Sequence, residues 1–469
     1  MGRNKIKINV KERKSFLTKK KGVNTSPGKA HEPGRIDDRI ISKSSPHYYN
    51  YIVAVVLLGF GVYEAVIYFD HKVVPSPDFP AFVRVGHQIL LGDIPWGDKR
   101  APVVGLLQAI ISYFVGGQHP DLTAGRLLNA LIFPFTGLLI WLTCRKTIGC
   151  FPAFIISILS LINPWTIQYF QEPIAEIPLF FFTVLTFFFL SRRSRWAYLF
   201  ASIAMMVRYE GAALIVVTFL LNQIEAKTRK DRLMAFVWSF LAAIPLLAWM
   251  AGLIVNWHST GTTHYLKEMG VTAEGKNVPL EYLALIWRAS IQPLFIFPPS
   301  WPPRLTVWFS FFTKIMLTIG SFWAFGYGVW KRQWEILAYA IFLVLYTIIH
   351  IAYSVIDPRY CIMTNWIQLL LLFYGLEKFY LLIQNSNKIS SAAIVGLQVI
   401  LLFFLCIWIF YLYPCLEKLS PISPVSRHIP HVAIASVLVI LVAKILPMQN
   451  MRGIFSLVVG SVLLCLMIL

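Results

Sequence analysis

The chain has 469 residues, of which 57% are hydrophobic and 14% charged, with a mean hydropathy of +0.65 and 42 Lys and Arg against 22 Asp and Glu. Soluble proteins carry roughly 25% charged residues, so the composition excludes a string of soluble domains and indicates an all-α polytopic membrane protein. Residues 1 to 48 hold 13 of the Lys and Arg and 4 of the Asp and Glu, nearly half of the net +20, in a stretch with no core-forming pattern. Without interleaved aromatics on a folded platform, this charge does not indicate nucleic acid. It is expected to form a disordered, uncleaved cytoplasmic tail that sets topology, with a clasp on anionic membrane lipids as the alternative reading.

A span needs about 20 apolar residues, and cytoplasmic loops are richer in Lys and Arg. The first crossing is expected from Tyr49 to Phe69, delivering Asp70 to the far side. In the external segment 70 to 121, Phe82, Val85, Ile89 and Leu90 recur at helical spacing beside Arg84, His87 and Gln88. That pattern predicts an amphipathic interfacial helix with Asp78 immediately before it. Pro102 to Gly116 is short and carries Gln108 and Ser112, which suits a re-entrant or surface helix.

Further crossings are expected at 122–143, 151–162, 174–190, 196–207, 211–221, 234–255, 305–329, 334–353, 361–383, 389–413, 432–446 and 454–469, making about 13 in all. A single helix from Trp196 to Asn222 would also cross. It would reverse every later loop and put Lys227 to Arg232 and Lys331-Arg332 outside, so charge bias selects two short helices meeting at Arg208-Tyr209-Glu210. The domain plan is therefore the tail 1–48, a membrane domain 49–385 with external loops 70–121 and 256–304, and C-terminal spans 386–469.

This threading puts Glu172 to Glu176, Arg208 to Glu210, Arg359-Tyr360 and Asp70 to Arg100 on the extracytoplasmic side, able to share one cavity. Charge beside hydrocarbon costs several kcal/mol unless it is paired, hydrated or used, so these are functional candidates. Guanidiniums suit a phosphate through paired charge-assisted hydrogen bonds, which makes Arg208 and Arg359 candidates, with Tyr360 and Glu210 beside them. A carboxylate could orient or deprotonate an acceptor hydroxyl; Asp78 is the leading base, and Glu176 the second catalytic candidate. Asp98, Arg126 and Glu172 are secondary.

The structural alternatives are an N-cap for Asp78, an ion pair for Arg208 and Glu210, and a snorkelling interfacial side chain for Arg359. Six cysteines lack any Cys-x-x-Cys pair, and His119, His258, His264 and His350 lack a metal-ligand spacing, so no zinc site is expected. No cofactor is required, although Asp78 and Glu176 beside a phosphate would suit Mg²⁺ or Mn²⁺.

Ser76-Pro77-Asp78 and Gly92-Asp93-Ile94-Pro95-Trp96-Gly97-Asp98 resemble the first external loop of GT-C glycosyltransferases. In order follow Arg100-Ala101-Pro102, Arg126-Leu127-Leu128-Asn129-Ala130, Asn163-Pro164 through Ala175-Glu176, Met206 to Gly211 and Pro358-Arg359-Tyr360. They are similar to that family's lysine/proline-proline, Ala-Arg-Leu-Leu-Asn-Ala, Asn-Pro to Thr-Glu, Leu-Thr-Arg-Pro-Glu-Gly and Pro-Arg-Tyr segments. The resemblance covers about residues 49 to 385 and is closest to the protein mannosyltransferase and aminoarabinose transferase branch.

The resemblance implies a polyprenyl-phosphate sugar donor, a lipid, glycan or protein acceptor, inversion at the anomeric carbon and a catalytic acid at Asp78. Phe79 stands where mannosyltransferases carry the Glu of an Asp-Glu pair, Ala101 replaces a proline and so does Tyr209. The expected function is a hexosyl or pentosyl transferase in the plasma membrane, with its site extracytoplasmic. A transporter or lipid flippase is the alternative, which internal repeats with interrupted helices would favour.

Overall fold

The computed structural model describes residues 47–70, 75–96, 98, 100–260, 318–351 and 358–384, and these form helices and turns with no strand among them. The tail to residue 46, the external loop after residue 260 and the spans expected after residue 385 lie outside the described residues. The helices are α1 (His47–Tyr68), α2 (Phe79–Leu90), α3 (Pro102–Ser112), α4 (Pro120–Ile148), α5 (Cys150–Leu161), α6 (Pro164–Phe170) and α7 (Glu176–Leu190). After them come α8 (Trp196–Val207), α9 (Ala212–Glu225), α10 (Arg229–Thr260), α11 (318–330), α12 (Trp334–Ile351) and α13 (Ile362–Gln384).

Three of these, in α1, α4 and α10, are long and apolar enough to cross a membrane. On α10, Leu233, Phe236, Phe240, Ile244, Leu247 and Val255 are exposed, an apolar face that suits lipid and not water. The chain is an integral membrane protein, helical throughout its described elements. The expected spans 151–162 and 196–207 correspond to α5 and α8, which have 12 residues each, a rise of about 18 Å against a hydrocarbon core of about 30 Å. Helix α6 is not among the elements expected from the sequence. The chain breaks after α5 because Asn163 accepts from the backbone N–H groups of Trp165 and Thr166, capping α6 with Pro164 at its first position.

The interior is sealed by aromatics from α7, α12 and α13: Phe187 lies 4.8 Å from Tyr339 and 5.6 Å from Trp366 between ring centroids. These rings are buried and fix three helices that carry polar residues at one end.

The choice between one helix and two over 196–222 is settled by the backbone. Helix α8 stops at Val207, Arg208 is extended (φ −151°, ψ 141°), and a 3-10 turn over Tyr209–Gly211 leads into α9. Asn222 Nδ2 donates to Tyr198 Oη at 3.1 Å, so α8 and α9 run antiparallel. Charge follows this hairpin. At its open end Arg193 pairs with Glu225, Lys146 reaches the Ser191 carbonyl, and Gln223 reaches that of Arg232. The acidic and arginine clusters named from the sequence sit at the opposite end.

Helices α2 and α3 touch backbone to backbone. A Cβ at Gly105 would lie 2.2 Å from the Phe82 carbonyl oxygen, and one at Gly86 2.0 Å from that of Gly105. Since Asp78 precedes α2 and Arg100 precedes α3, this contact sets the spacing of the two charges. Gly105→Leu should force the pair apart and destabilise the protein by about 1–3 kcal/mol, read as a lowered thermal midpoint. Leu107→Ile, a volume-conserving change on the same helix, should leave that midpoint within about 1 °C.

Candidate functional site

Five chain segments meet at the end of the bundle away from the basic hairpin. Asp78 comes from the start of α2, Arg100 from the segment before α3, Glu176 from the start of α7 and Arg208 with Glu210 from the α8–α9 junction. Arg359 and Tyr360 come from a 3-10 turn over Pro358–Cys361 that leads into α13.

The floor is a buried ionic cluster. Arg208 donates from Nη1 to Glu176 Oε1 at 2.6 Å, from Nη2 to Glu210 Oε1 at 2.9 Å and from Nε to Glu210 Oε2 at 3.3 Å. Its extended backbone at the end of α8 turns the guanidinium back between two carboxylates whose side chains are 2% and 3% exposed. Burial works against the Arg208 charge, but Glu210 and Glu176 outweigh it and hold the guanidinium well above its ordinary range. Burial would raise Glu210, yet Arg208 wins and brings that carboxyl down to about 2.

The mouth is more open. Asp78 is the most exposed of the three carboxylates, with 35% of its side chain accessible. It occupies the N-cap position of α2, but its backbone is helical and its carboxylate makes no capping hydrogen bond. That oxygen pair is instead held by two guanidiniums, Arg100 Nη2 on Oδ1 and Arg359 Nη1 at 3.4 Å from Oδ2. Arg359 also donates from Nη2 to Tyr360 Oη at 2.9 Å and places Nε 3.9 Å from Glu176 Oε1. Burial lowers its basicity, but Tyr360 and Glu176 more than offset this, so its pKa is raised. Both Arg208 and Arg359 lie against the Tyr360 ring, at 5.1 and 4.9 Å from its centroid. This guanidinium is tethered to neighbours and does not snorkel as an isolated side chain.

The secondary candidates fall around this core. Asp98 accepts from Arg84 at 2.5 Å and from the Arg100 backbone N–H at 2.9 Å, so it orders the segment that carries Arg100. Arg126 pairs with Asp70, joining α4 to the end of α1. The Glu172 carbonyl accepts from Asn129 Nδ2 at 3.1 Å, as does that of Phe170 at 3.0 Å, which clamps α4 to the connection entering α7. A second aromatic strut joins the loop to the junction: Trp96 packs 5.4 Å from Trp249, whose Nε1 donates to Tyr209 Oη at 3.1 Å. A Cβ at Gly252 would lie 2.0 Å from the Trp96 ring, so the indole enters only because α10 is bare there. Burial pushes the Tyr209 phenol up to about 12, so it stays protonated.

Two members of the site are not among the sequence candidates. Arg100 stands in a motif without an assigned role, although its charge two residues from Asp98 is a usable signal. His350 has no metal-ligand spacing, yet its Nε2 lies 3.7 Å from Glu210 Oε1. Among the described residues no group of three His, Cys, Asp or Glu is gathered in metal-holding geometry.

Neither a protein-family model nor a curated protein sequence matches the chain. Solved structures do resemble it. One is the archaeal oligosaccharyltransferase AglB from Archaeoglobus fulgidus in complex with an inhibitory peptide and a dolichol-phosphate, at 12% identity and a TM-score of 0.46 over 76% of this chain and 54% of that one. This chain thus spans about half the length of the oligosaccharyltransferase. Another is ArnT from Cupriavidus metallidurans in the apo state, at 13% identity and a TM-score of 0.47 over 90% of this chain and 76% of that one. The same ArnT bound to undecaprenyl phosphate matches at 14% identity, with a TM-score of 0.43 over 88% and 75%.

Proposed function

We propose that this protein is an inverting membrane glycosyltransferase that moves a sugar from a polyprenyl-phosphate donor to an acceptor hydroxyl on the extracytoplasmic side. The observation that carries this reading is the convergence of Asp78, Arg100, Glu176, Arg208, Glu210 and Arg359 on one site at one end of the bundle. A neutral transport path would not call for three guanidiniums held at fixed spacing beside a half-open carboxylate.

In the proposed reaction the acceptor oxygen attacks the anomeric carbon from the face opposite the phosphate, and its proton passes to Asp78. The bond from that carbon to the phosphate oxygen breaks, and its electron pair leaves on the phosphate. Arg359 stabilises the charge that develops there, joined by Arg100 at the mouth. Arg208 has three nitrogens committed to Glu176 and Glu210, so it supports the phosphate site from behind. Glu176, at 2% exposed, positions Arg208 and Arg359 and does not meet the acceptor. A divalent ion on Asp78 and Glu176 would have to displace their guanidiniums; chelator-insensitive transfer is therefore expected.

We keep the threading of thirteen crossings, with the N-terminus cytoplasmic in a plasma membrane. The basic hairpin end supports it by the positive-inside bias. The acceptor is a lipid, glycan or protein, and the donor sugar is identified by screening a panel of polyprenyl-phosphate sugars. Purified protein in lipid nanodiscs should bind one radiolabelled polyprenyl-phosphate sugar. Arg359→Ala should weaken that binding by about ten- to a hundredfold, the worth of one or two charge-assisted hydrogen bonds. Failure of every donor to bind would put the transporter or flippase reading ahead.

A further inference from the structure

His350 approaches the ionic cluster through Nε2 and is anchored to its own helix through Nδ1. It lies in the last turn of α12, with Nδ1 2.8 Å from the Tyr346 carbonyl oxygen and Nε2 3.7 Å from Glu210 Oε1. A carbonyl oxygen only accepts, so Nδ1 carries a hydrogen, and Nε2 is where the ring gains or loses its second proton. The ring is also clamped in orientation: it lies 4.4 Å from the Tyr346 ring and 4.9 Å from the Tyr360 ring. Tyr360 is the same ring that Arg208 and Arg359 flank.

The cluster is balanced as it stands. Asp78, Glu176 and Glu210 face Arg100, Arg208 and Arg359, three charges of each sign. Resting on the donor reading above, a phosphodiester adds one negative charge and draws guanidinium N–H groups away from the carboxylates. Glu210 is 3% exposed, so water cannot restore what its partner gives up, and a buried carboxylate short of a counter-charge is costly.

We infer that His350 takes up one proton from solution at Nε2 as the donor phosphate binds, converting its approach to Glu210 into a charge-assisted hydrogen bond. It touches neither sugar nor phosphate and is a positioning residue, holding Glu210 and, through it, Arg208. The titratable and charged groups facing the ring among the described residues are Glu210 and Arg208 from the α8–α9 junction, Tyr360 and Arg359 from the turn before α13, and Tyr346 on its own helix. Arginine keeps its charge at any relevant pH, and Glu210 is held ionised by Arg208. Histidine is the side chain whose ordinary range spans neutrality.

The test uses the full chain in lipid nanodiscs and polyprenyl-phosphate monosaccharides, phosphodiesters whose own charge is constant near neutrality. Calorimetric titration of the wild type in two buffers of different ionisation enthalpy should report net uptake approaching one proton per donor bound. Donor Kd should rise by up to about tenfold per pH unit over the range where free His350 has lost its proton, the slope of one linked proton. His350→Gln keeps a polar side chain but cannot change charge; its donor Kd should vary by less than about twofold over the same range. Absence of proton uptake by the wild type would overturn the inference without any variant. So would a slope that survives His350→Gln and disappears in Asp78→Asn, because the proton would then belong to Asp78. A wild type that binds no donor at any pH removes the donor reading itself, and this inference with it.

Discussion

Asp78→Asn should lower sugar transfer by about 10²- to 10⁴-fold, the usual worth of a positioned general base, while donor binding holds or tightens. The sign for binding follows from the contacts. Asp78 now occupies Arg100 and Arg359, and a donor phosphate must compete with it for those guanidiniums. An amide releases them, so the variant should bind donor at least as well as wild type and release almost no product. Single-turnover transfer measured beside equilibrium donor binding separates the two effects. Equal loss of both would assign Asp78 to binding, and unchanged transfer would remove it from the chemistry. Asn is close in size to Asp and the side chain caps no helix here, so folding should be preserved.

Arg208→Gln should be the most destabilising of the site substitutions, at about 3–5 kcal/mol, because it leaves two buried carboxylates without their main counter-charge. Arg359→Ala acts at a side chain that is 24% exposed and should cost far less stability while costing more donor affinity. Thermal unfolding in nanodiscs against donor binding should therefore order the two arginines oppositely. The pH dependence adds a second check. In the wild type the Glu210 carboxyl is depressed to about 2, so its contribution to stability is full above the ordinary carboxylate range and fades only as pH falls toward that value. Without Arg208 the burial that opposes ionisation is no longer offset, and the carboxyl moves upward. The sign then reverses: relative to the wild type, whose Glu210 contribution is constant there, Arg208→Gln should gain stability as pH is lowered from neutrality. A variant as stable as the wild type, with the same pH profile, would mean that the cluster contributes nothing to the fold.

Much of the architecture was legible in residue patterns. The helical spacing of Phe82, Val85 and Ile89 gave α2, and loop charge chose a break at Arg208 over a continuous helix, which the Asn222 to Tyr198 bond supports. The same bias gathered the charged clusters at one end. Pairing was not legible. Whether Asp78 meets Arg100 depends on how closely α2 and α3 approach, and that rests on Gly86 and Gly105 with no side chains between them. Asp78 fits the preference rules for an N-cap, and only tertiary partners show that its carboxylate is spent elsewhere. His350 was passed over because a metal site demands a spacing, whereas a single ring beside a carboxylate demands none. The short helix α6 was not legible because its seven residues, between the spans ending at 162 and starting at 174, are too few and too mixed to show a helical period.

The central claim is that this cluster holds the phosphate of a lipid-linked sugar, and a cryo-EM structure of the nanodisc-embedded protein with its bound polyprenyl-phosphate donor tests it most directly. Phosphate density is expected within hydrogen-bond distance of Arg359, with the anomeric carbon turned toward Asp78 and the prenyl chain running between helices. Phosphate density at the opposite end, among Lys146, Arg193 and Arg232, with the Asp78 site empty, would contradict it.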